Sequence, residues 1–269
     1  GADFDMLKAP LDPEERARID AEDNTSLILV DIPTIEMEGK DFVYSTIPLG
    51  ILTTENHLIT VCLKDSHIMR DFAQNHVKGF FTYKKTRFIL QILYRNASRY
   101  LQYLRQIDKK TNAIETELQR TLRNQELMQL MRLEKSLVFF ATSLKSNEIV
   151  LEKLLRSDLI RRFPDDEDLL EDVIIENKQA IEMCAIYRDI LSSTMDAFSS
   201  VISNNVNDIM KVLTSLTLVL SIPTLIASIW GMNVKVPFEG DSVGFWILLG
   251  ASLLASIISI VILSKRRML

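Results

Sequence analysis

Apolar positions follow three rhythms along this chain of 269 residues. Near the start, short β-branched and aromatic runs occur at 27–32 (LILVDI), 42–47 (FVYSTI) and 58–63 (LITVCL). Turn formers lie between them, at Pro33, Gly39-Lys40, Pro48-Leu49-Gly50 and Glu55-Asn56, and predict a small hairpin sheet. Asp65-Ser66 offers an N-cap for a helix through Gln74. From Thr86 the period changes to that of a helix. Leu90, Leu93, Tyr94, Ala97, Leu101 and Leu104 recur at three- and four-residue steps, as do Leu127, Leu130, Met131, Leu137 and Val138. Pro164 is the one strong breaker, so long antiparallel helices are expected, their charged faces solvated.

After Pro164, Leu170, Ile174, Ile181, Cys184, Leu191, Met195, Phe198, Ile202 and Ile209 repeat at close to 3.5 residues, interrupted by Asn177, Arg188 and Asn205. A stripe of that period calls for a partner helix. At 1.5 Å per residue, about 65 residues extend roughly 100 Å. One small domain does not support such a length, which favours parallel stalks from several identical subunits.

The third rhythm is unbroken apolarity. Residues 212–230 and 243–263 carry no charge and are apolar all round, and a membrane span needs about 20 such residues. Lys265, Arg266 and Arg267 follow the second run and Lys211 precedes the first, whereas the connector sets Lys235 against Glu239 and Asp241. The positive-inside rule puts both ends in the cytoplasm and the connector outside, with Trp230, Phe245 and Trp246 in the outer interface. Lipid is therefore an expected partner, in a cell inner or plasma membrane.

Inside the first run the 3.5-residue stripe continues but turns polar: Asn207, Met210, Leu213 or Thr214, Thr217, Ser221, Thr224 and Ser228 lead to Gly231-Met232-Asn233. Small and hydroxyl residues on one face of a membrane helix suit either close helix contact or a water-filled path, and the stripe alone does not choose.

Charge and motifs narrow the classes further. The net charge of −5 leaves no basic nucleic-acid footprint. Cys62 and Cys184 lie far apart and read as small core residues in a reducing compartment. His57, His67 and His76 lack metal-site spacing. No GxSxG, Walker A, GxGxxG or HExxH pattern is present, so neither an enzyme nor a nucleotide site is expected. Gly1-Ala2-Asp3 shows no signal peptide and no initiator Met, which suggests a truncated N-terminus and a cytosolic body.

These patterns predict an α+β chain: a cytosolic α/β domain over 1–85, long antiparallel cytosolic helices over 86–164, and a stalk helix continuing into the first transmembrane helix over 165–230. An outer loop over 231–242, a second transmembrane helix over 243–263 and a basic cytosolic tail over 264–269 complete it.

The segment Asn207-Asp208-Ile209-Met210-Lys211-Val212-Leu213-Thr214, Pro223, Gly231-Met232-Asn233, the two-helix hairpin and the basic tail resemble the CorA family of magnesium channels. Tyr187-Arg188-Asp189-Ile190-Leu191 resembles its stalk helix. The likeness is detailed over 172–269 and architectural before that. It implies a homopentamer whose first span lines a central pore, with Gly231, Met232 and Asn233 as selectivity filter. Asn207, Met210, Leu213, Thr217, Ser221, Thr224 and Ser228 would line the pore. Around Ile222-Pro223-Thr224 the chain departs from some members, carrying Ser221 where they have a larger apolar residue; that bears on the width of the constriction.

The resemblance further implies passive uptake of hydrated Mg²⁺ driven by membrane potential and gated by cytosolic Mg²⁺, with Asp172 at a regulatory metal site between subunits. The N-terminal partner acid is not identifiable, and Asp12 is one candidate. The same architecture serves Co²⁺, Ni²⁺ or Zn²⁺ transport in other branches, with proton coupling in some. A membrane-anchored scaffold, its polar stripe used only for helix contact, is the competing class.

Overall fold

The computed structural model describes residues 4–22, 25–38, 41–121, 124–157, 164–232 and 242–266. They form two compact units, Gly1–Met195 and Asp196–Leu269, each described here by itself.

The first unit begins with a short helix α1 (Phe4–Lys8) and a 3-10 turn (Ala9–Leu11). Four strands follow, β1 (Arg18–Glu22), β2 (Thr25–Glu38), β3 (Asp41–Thr53) and β4 (Leu58–Cys62), as an antiparallel meander in the order β1-β2-β3-β4. Alternation on the two long strands splits the core. Ile28, Val30, Ile32, Ile47, Leu49 and Ile51 face the helices, while Leu27, Leu29 and Leu52 face Met6 on the other side. Covered on both faces, β2 is apolar at four successive positions, Leu27 to Val30.

Two expected turns are strands instead. Pro33 pairs with Thr46 and Pro48 with Asp31, inside the longest ladder of the sheet. In an antiparallel ladder alternate pairs exchange no main-chain hydrogen bonds. Asp31 directs both its N–H and its C=O away from β3, to helix side chains, so Asp31↔Pro48 and, two residues on, Pro33↔Thr46 are pairs of that kind. The outer edges are also open there, because β1 pairs with β2 no further than Leu29 and β4 with β3 no further than Leu49. A missing N–H therefore breaks no ladder bond. The turn expected at Gly39-Lys40 lies outside the described residues, bracketed by the pair Glu38↔Asp41. Gly50 belongs to β3 because it is the only side chain that fits: an added Cβ would collide with Pro10 Cγ of the 3-10 turn.

Helix α2 (His67–Ala73) starts where Ser66 Oγ accepts the Ile68 N–H at 3.2 Å, the N-cap expected there. Then come α3 (Lys85–Thr121) and α4 (Asn124–Arg156), with neither Pro nor Gly between them. They run antiparallel: Asn96 and Asn147 meet at Asp31, and Tyr100 stacks edge-on to Phe140 at 5.1 Å. On α4 the buried stripe is Leu130, Leu133, Leu137, Phe140, Leu144, Val150 and Leu154, and the expected stripe members Met131 and Val138 face outward.

Helix α5 (Pro164–Trp230) contributes to both units. In the first, Asn177 Nδ2 donates to Leu144 O at 3.2 Å and Cys184 Sγ to Leu137 O at 3.2 Å, so α5 runs antiparallel to α4. The buried positions Leu170, Val173, Ala180, Cys184 and Leu191 are thus covered within the chain, by α4 at Asn177 and Cys184 and by α3 near Leu170 and Val173. Burial pushes the Cys184 thiol up to about 11.

In the second unit, α5 is followed by α6 (Ser242–Lys265). Both contain an apolar stretch long enough to cross a membrane, and only 6% of each stretch is buried within the chain. Core helices of a water-soluble protein would be mostly buried, so these two present their apolar surface outward.

Candidate ion pathway

The face that α5 turns towards α6 can be read from burial in the second unit. Ser215 is buried, and Val219, Ile222, Pro223, Ile226 and Trp230 are half-buried at steps of three and four residues. On α6 the matching positions are Gly244, Leu248, Ser252, Ala255, Ser256, Ser259 and Leu263, five of the seven being Gly, Ala or Ser. Small residues let two membrane helices approach closely where no hydrophobic effect drives them together. Ser252 Oγ donates back to Leu249 O at 3.0 Å, which keeps its polar atom satisfied in that contact. At the Trp230 end the two helices leave an apolar cavity of about 190 Å³, lined by Pro223, Ile226, Trp230 and Phe245.

The polar stripe lies on the other side. At about 100° per residue, Leu213, Thr217 and Thr224 sit roughly opposite Ser215. Asn207, Met210, Leu213, Thr217, Ser221, Thr224 and Ser228 are all exposed on the single chain. The hairpin thus spends its internal helix contact on Ser215 and its row and leaves the expected pore-lining row unpartnered.

Three hydroxyls on that row are oriented. Thr217 Oγ1 donates to Leu213 O at 2.8 Å, Ser221 Oγ to Thr217 O at 2.7 Å and Thr224 Oγ1 to Leu220 O at 2.9 Å. Each O–H proton is directed into the helix, so each oxygen presents lone pairs outward, the polarity that suits a cation and its water. Pro223 has no N–H for the carbonyl of Val219, on the α6-facing row. Below the stripe Lys211 Nζ pairs with Asp208 Oδ1 at 2.9 Å.

Gly231 ends α5 by donating its N–H to Ala227 O at 2.9 Å. Among the described residues the only glycine with positive φ is Gly79, so Gly231 does not supply the left-handed turn that a helix-ending glycine suggests. Its constraint is space: an added Cβ would lie 3.3 Å from Ala227 O. Met232 is exposed. Asn233, with the remaining connector residues Lys235, Glu239 and Asp241, lies outside the described residues.

Both regulatory candidates lie among the described residues. Asp12 caps the 3-10 turn and accepts the Glu14 N–H at 3.0 Å. Asp172 is exposed on α5. No cluster of three metal-ligating side chains occurs among the described residues, and His57, His67 and His76 are all exposed. Of the acidic run at the start of α5, Asp166 is buried and pairs with Arg87 of α3 at 3.5 Å, a tertiary tie that helix-end electrostatics does not require.

One residue escaped sequence reading. The Asp31 C=O accepts from Asn96 Nδ2 at 2.9 Å, Asn147 Nδ2 at 2.8 Å and Tyr100 OH at 3.2 Å, while its N–H donates to Asn147 Oδ1 at 2.8 Å. This peptide group ties the sheet to α3 and α4. Burial pushes the Asp31 carboxyl up to about 6, with a Ser143 hydrogen bond pulling the other way. The one sequence signal was a lone acid inside the apolar run LILVDI.

Against known proteins, the CorA-like Mg2+ transporter protein family profile matches residues 2–266. The cobalt/magnesium transport protein CorA of Methanocaldococcus jannaschii is 28% identical over 99% of this chain and 84% of that protein. Its namesake in Thermotoga maritima is 29% identical over 63% of this chain and 49% of that one. The complete structure of the CorA magnesium transporter from M. jannaschii superposes with a TM-score of 0.81 at 26% identity, covering 97% of this chain and 82% of that one.

Proposed function

Because this chain belongs to the CorA-like Mg²⁺ transporter family, we propose that it is a passive channel for hydrated divalent cations, with Mg²⁺ as principal cargo. The observation that carries the reading is the free face of α5. Its outward hydroxyl oxygens run along the side opposite α6 and lead to Gly231-Met232-Asn233. A helix that had only to contact α6 would need no second polar row, which argues against a scaffold.

One such row lines nothing alone. Several copies related by rotation enclose a path, and a homopentamer is the arrangement proposed. Exposed Ile175, Ile186 and Ile190 on the first-unit part of α5 supply apolar surface for contact between copies.

At the outer end a ring of Asn233 amide oxygens accepts hydrogen bonds from the water shell of Mg²⁺, an ion that dehydrates reluctantly. Neutral ligands hold weakly enough to release. Thr224, Ser221 and Thr217 pass the hydrated ion inward, and rings of Leu213 and Met210, about half exposed on the single chain, form an apolar constriction that closes by dewetting. An inside-negative potential contributes about 2.3 kcal/mol per charge per 100 mV, hence about 4.6 for a dication, so no nucleotide is required.

For feedback, cytosolic Mg²⁺ bound at Asp172 holds neighbouring stalks together and the pore shut. Exposed Asp172 has no ion pair among the described residues, which suits a ligand completed by a second subunit. Asp12 is a weaker partner, its carboxylate being engaged by its own loop. Both termini are assigned to the cytoplasm and residues 231–242 to the outside.

Flux into liposomes decides the reading. Purified protein should admit Mg²⁺ and discriminate it from Co²⁺, Ni²⁺ and Zn²⁺, with and without a pH gradient, and Asn233→Ala should abolish selective flux. Flux unaffected by Asn233→Ala would refute the filter assignment, and flux that requires a pH gradient would favour proton-coupled transport of another cation.

A further inference from the structure

The first unit holds a cavity of about 580 Å³ that ion conduction does not use. Asp31 and Thr46 of the sheet and Ser143 of α4 form its polar wall, Val138 and Phe139 of α4 its apolar wall, and Glu14 stands at its exposed rim. Volumes of this size are typical of small-molecule sites, in which a few polar groups orient a ligand against an apolar wall.

The carboxylate of Asp31 is the anomaly. The fold needs the Asp31 peptide group, which Asn96, Tyr100 and Asn147 hold, but none of them bonds the Asp31 side chain. Its own partner is the Ser143 hydroxyl, which lies 2.9 Å from Thr46 Oγ1. No cation is paired with it among the described residues. A desolvated charge without a counter-charge opposes folding, so an amide at this position would serve the fold better.

We propose that this cavity binds a small organic ammonium ion, with the Asp31 carboxylate holding the charged nitrogen and Val138 and Phe139 covering the hydrocarbon. A bare dication fits poorly, since no three metal-ligating side chains converge and one wall is apolar. An anion meets three acids on the lining, Asp31, Glu14 and Glu15, against the single cation Arg16, so the lining as a whole favours a positive ligand. On α3, Tyr100 also faces Asp31, and its phenol is pushed well above its ordinary value, first by burial and then by that carboxylate. The proposal stands whichever ion the pore passes.

Ammonium binding requires ionised Asp31, so affinity must follow its titration near pH 6. The test is calorimetric titration of the full chain in detergent with 1,4-diaminobutane, and with butane-1,4-diol as the neutral isostere. The diamine should bind, weaken about tenfold between pH 7 and pH 5, and lose at least tenfold with Asp31→Asn; the diol should not bind. Thr142→Trp, which narrows the cavity from α4 and leaves Asp31 in place, should also weaken binding. Absence of diamine binding at pH 7, equal binding of the diol, pH-independent affinity, or full affinity in a folded Asp31→Asn or Thr142→Trp protein would overturn the proposal.

Discussion

Replacing Asp31 by Asn should stabilise the first unit at neutral pH. The carboxyl stands at about 6 in the folded chain against an ordinary 3.8, because burial disfavours the charged form. The folded state therefore binds a proton more tightly than the unfolded chain, and stability falls as pH rises between those two values. Below about pH 4 the group is protonated in both states and costs nothing; above about pH 6 the cost is complete. A difference of about two pH units corresponds to about 3 kcal/mol at about 1.4 kcal/mol per unit. Asparagine keeps an acceptor for Ser143 and leaves the main-chain bonds to Asn96, Tyr100 and Asn147 in place. Allowing for a weaker bond to a neutral acceptor, the net gain is about 1–3 kcal/mol.

The chain contains a built-in reporter. It has two cysteines, and Cys184, 1% exposed beneath α4, becomes reactive only when the first unit opens. In a Cys62→Ser background, a thiol-reactive dye follows melting of the detergent-solubilised protein. Asp31→Asn should raise the midpoint by about 5 °C at pH 8, and the difference should vanish at pH 4. A lower midpoint for Asp31→Asn at pH 8, or a difference independent of pH, would refute the assignment of Asp31 as a largely desolvated carboxylate without a counter-charge.

Other outcomes follow from single contacts. Asn147→Ala leaves the Asp31 N–H without its partner and removes one of three donors to the carbonyl, so the same thermal assay should register a loss of about 2–3 kcal/mol. Gly50→Ala drives a methyl into Pro10 and should loosen the N-terminal turn at a cost of about 1–3 kcal/mol, read as faster proteolysis before Arg18. Leu213→Asn in the apolar constriction should raise Mg²⁺ leak into liposomes at high internal Mg²⁺, whereas Val219→Asn, on the α6-facing row, should impair assembly instead. With Asp172→Ala, inhibition of flux by internal Mg²⁺ should weaken; undiminished inhibition would remove Asp172 from the feedback.

Ser66, Ser215 and Pro33 show where local pattern ends. Ser66 reads as an N-cap in sequence and is one, because the Ile68 N–H it satisfies is two residues away. Ser215 sits among other hydroxyl residues of the first span and cannot be told from Thr217 by composition, yet it faces α6 and Thr217 does not. Pro33 and Pro48 carry a strong local turn signal that long-range pairing overrides, since each lies where its missing N–H goes unneeded.

The sequence by itself determined the α+β class, the two spans, the charged tail and the signature Gly231-Met232-Asn233, all of them properties of one-dimensional pattern: period, run length, and the sign of flanking charge. Only the tertiary structure decided which side of each helix is used. It covered the apolar stripe over Leu170 to Leu191 with α3 and α4, matched the small residues of α6 with the Ser215 row, and left the hydroxyl row of α5 free. It also converted Asp31 from an interruption in a strand into a hub with an unpaired charge. Period says that a helix has a buried face; which partner buries it depends on contacts between residues tens of positions apart, and no local pattern contains those.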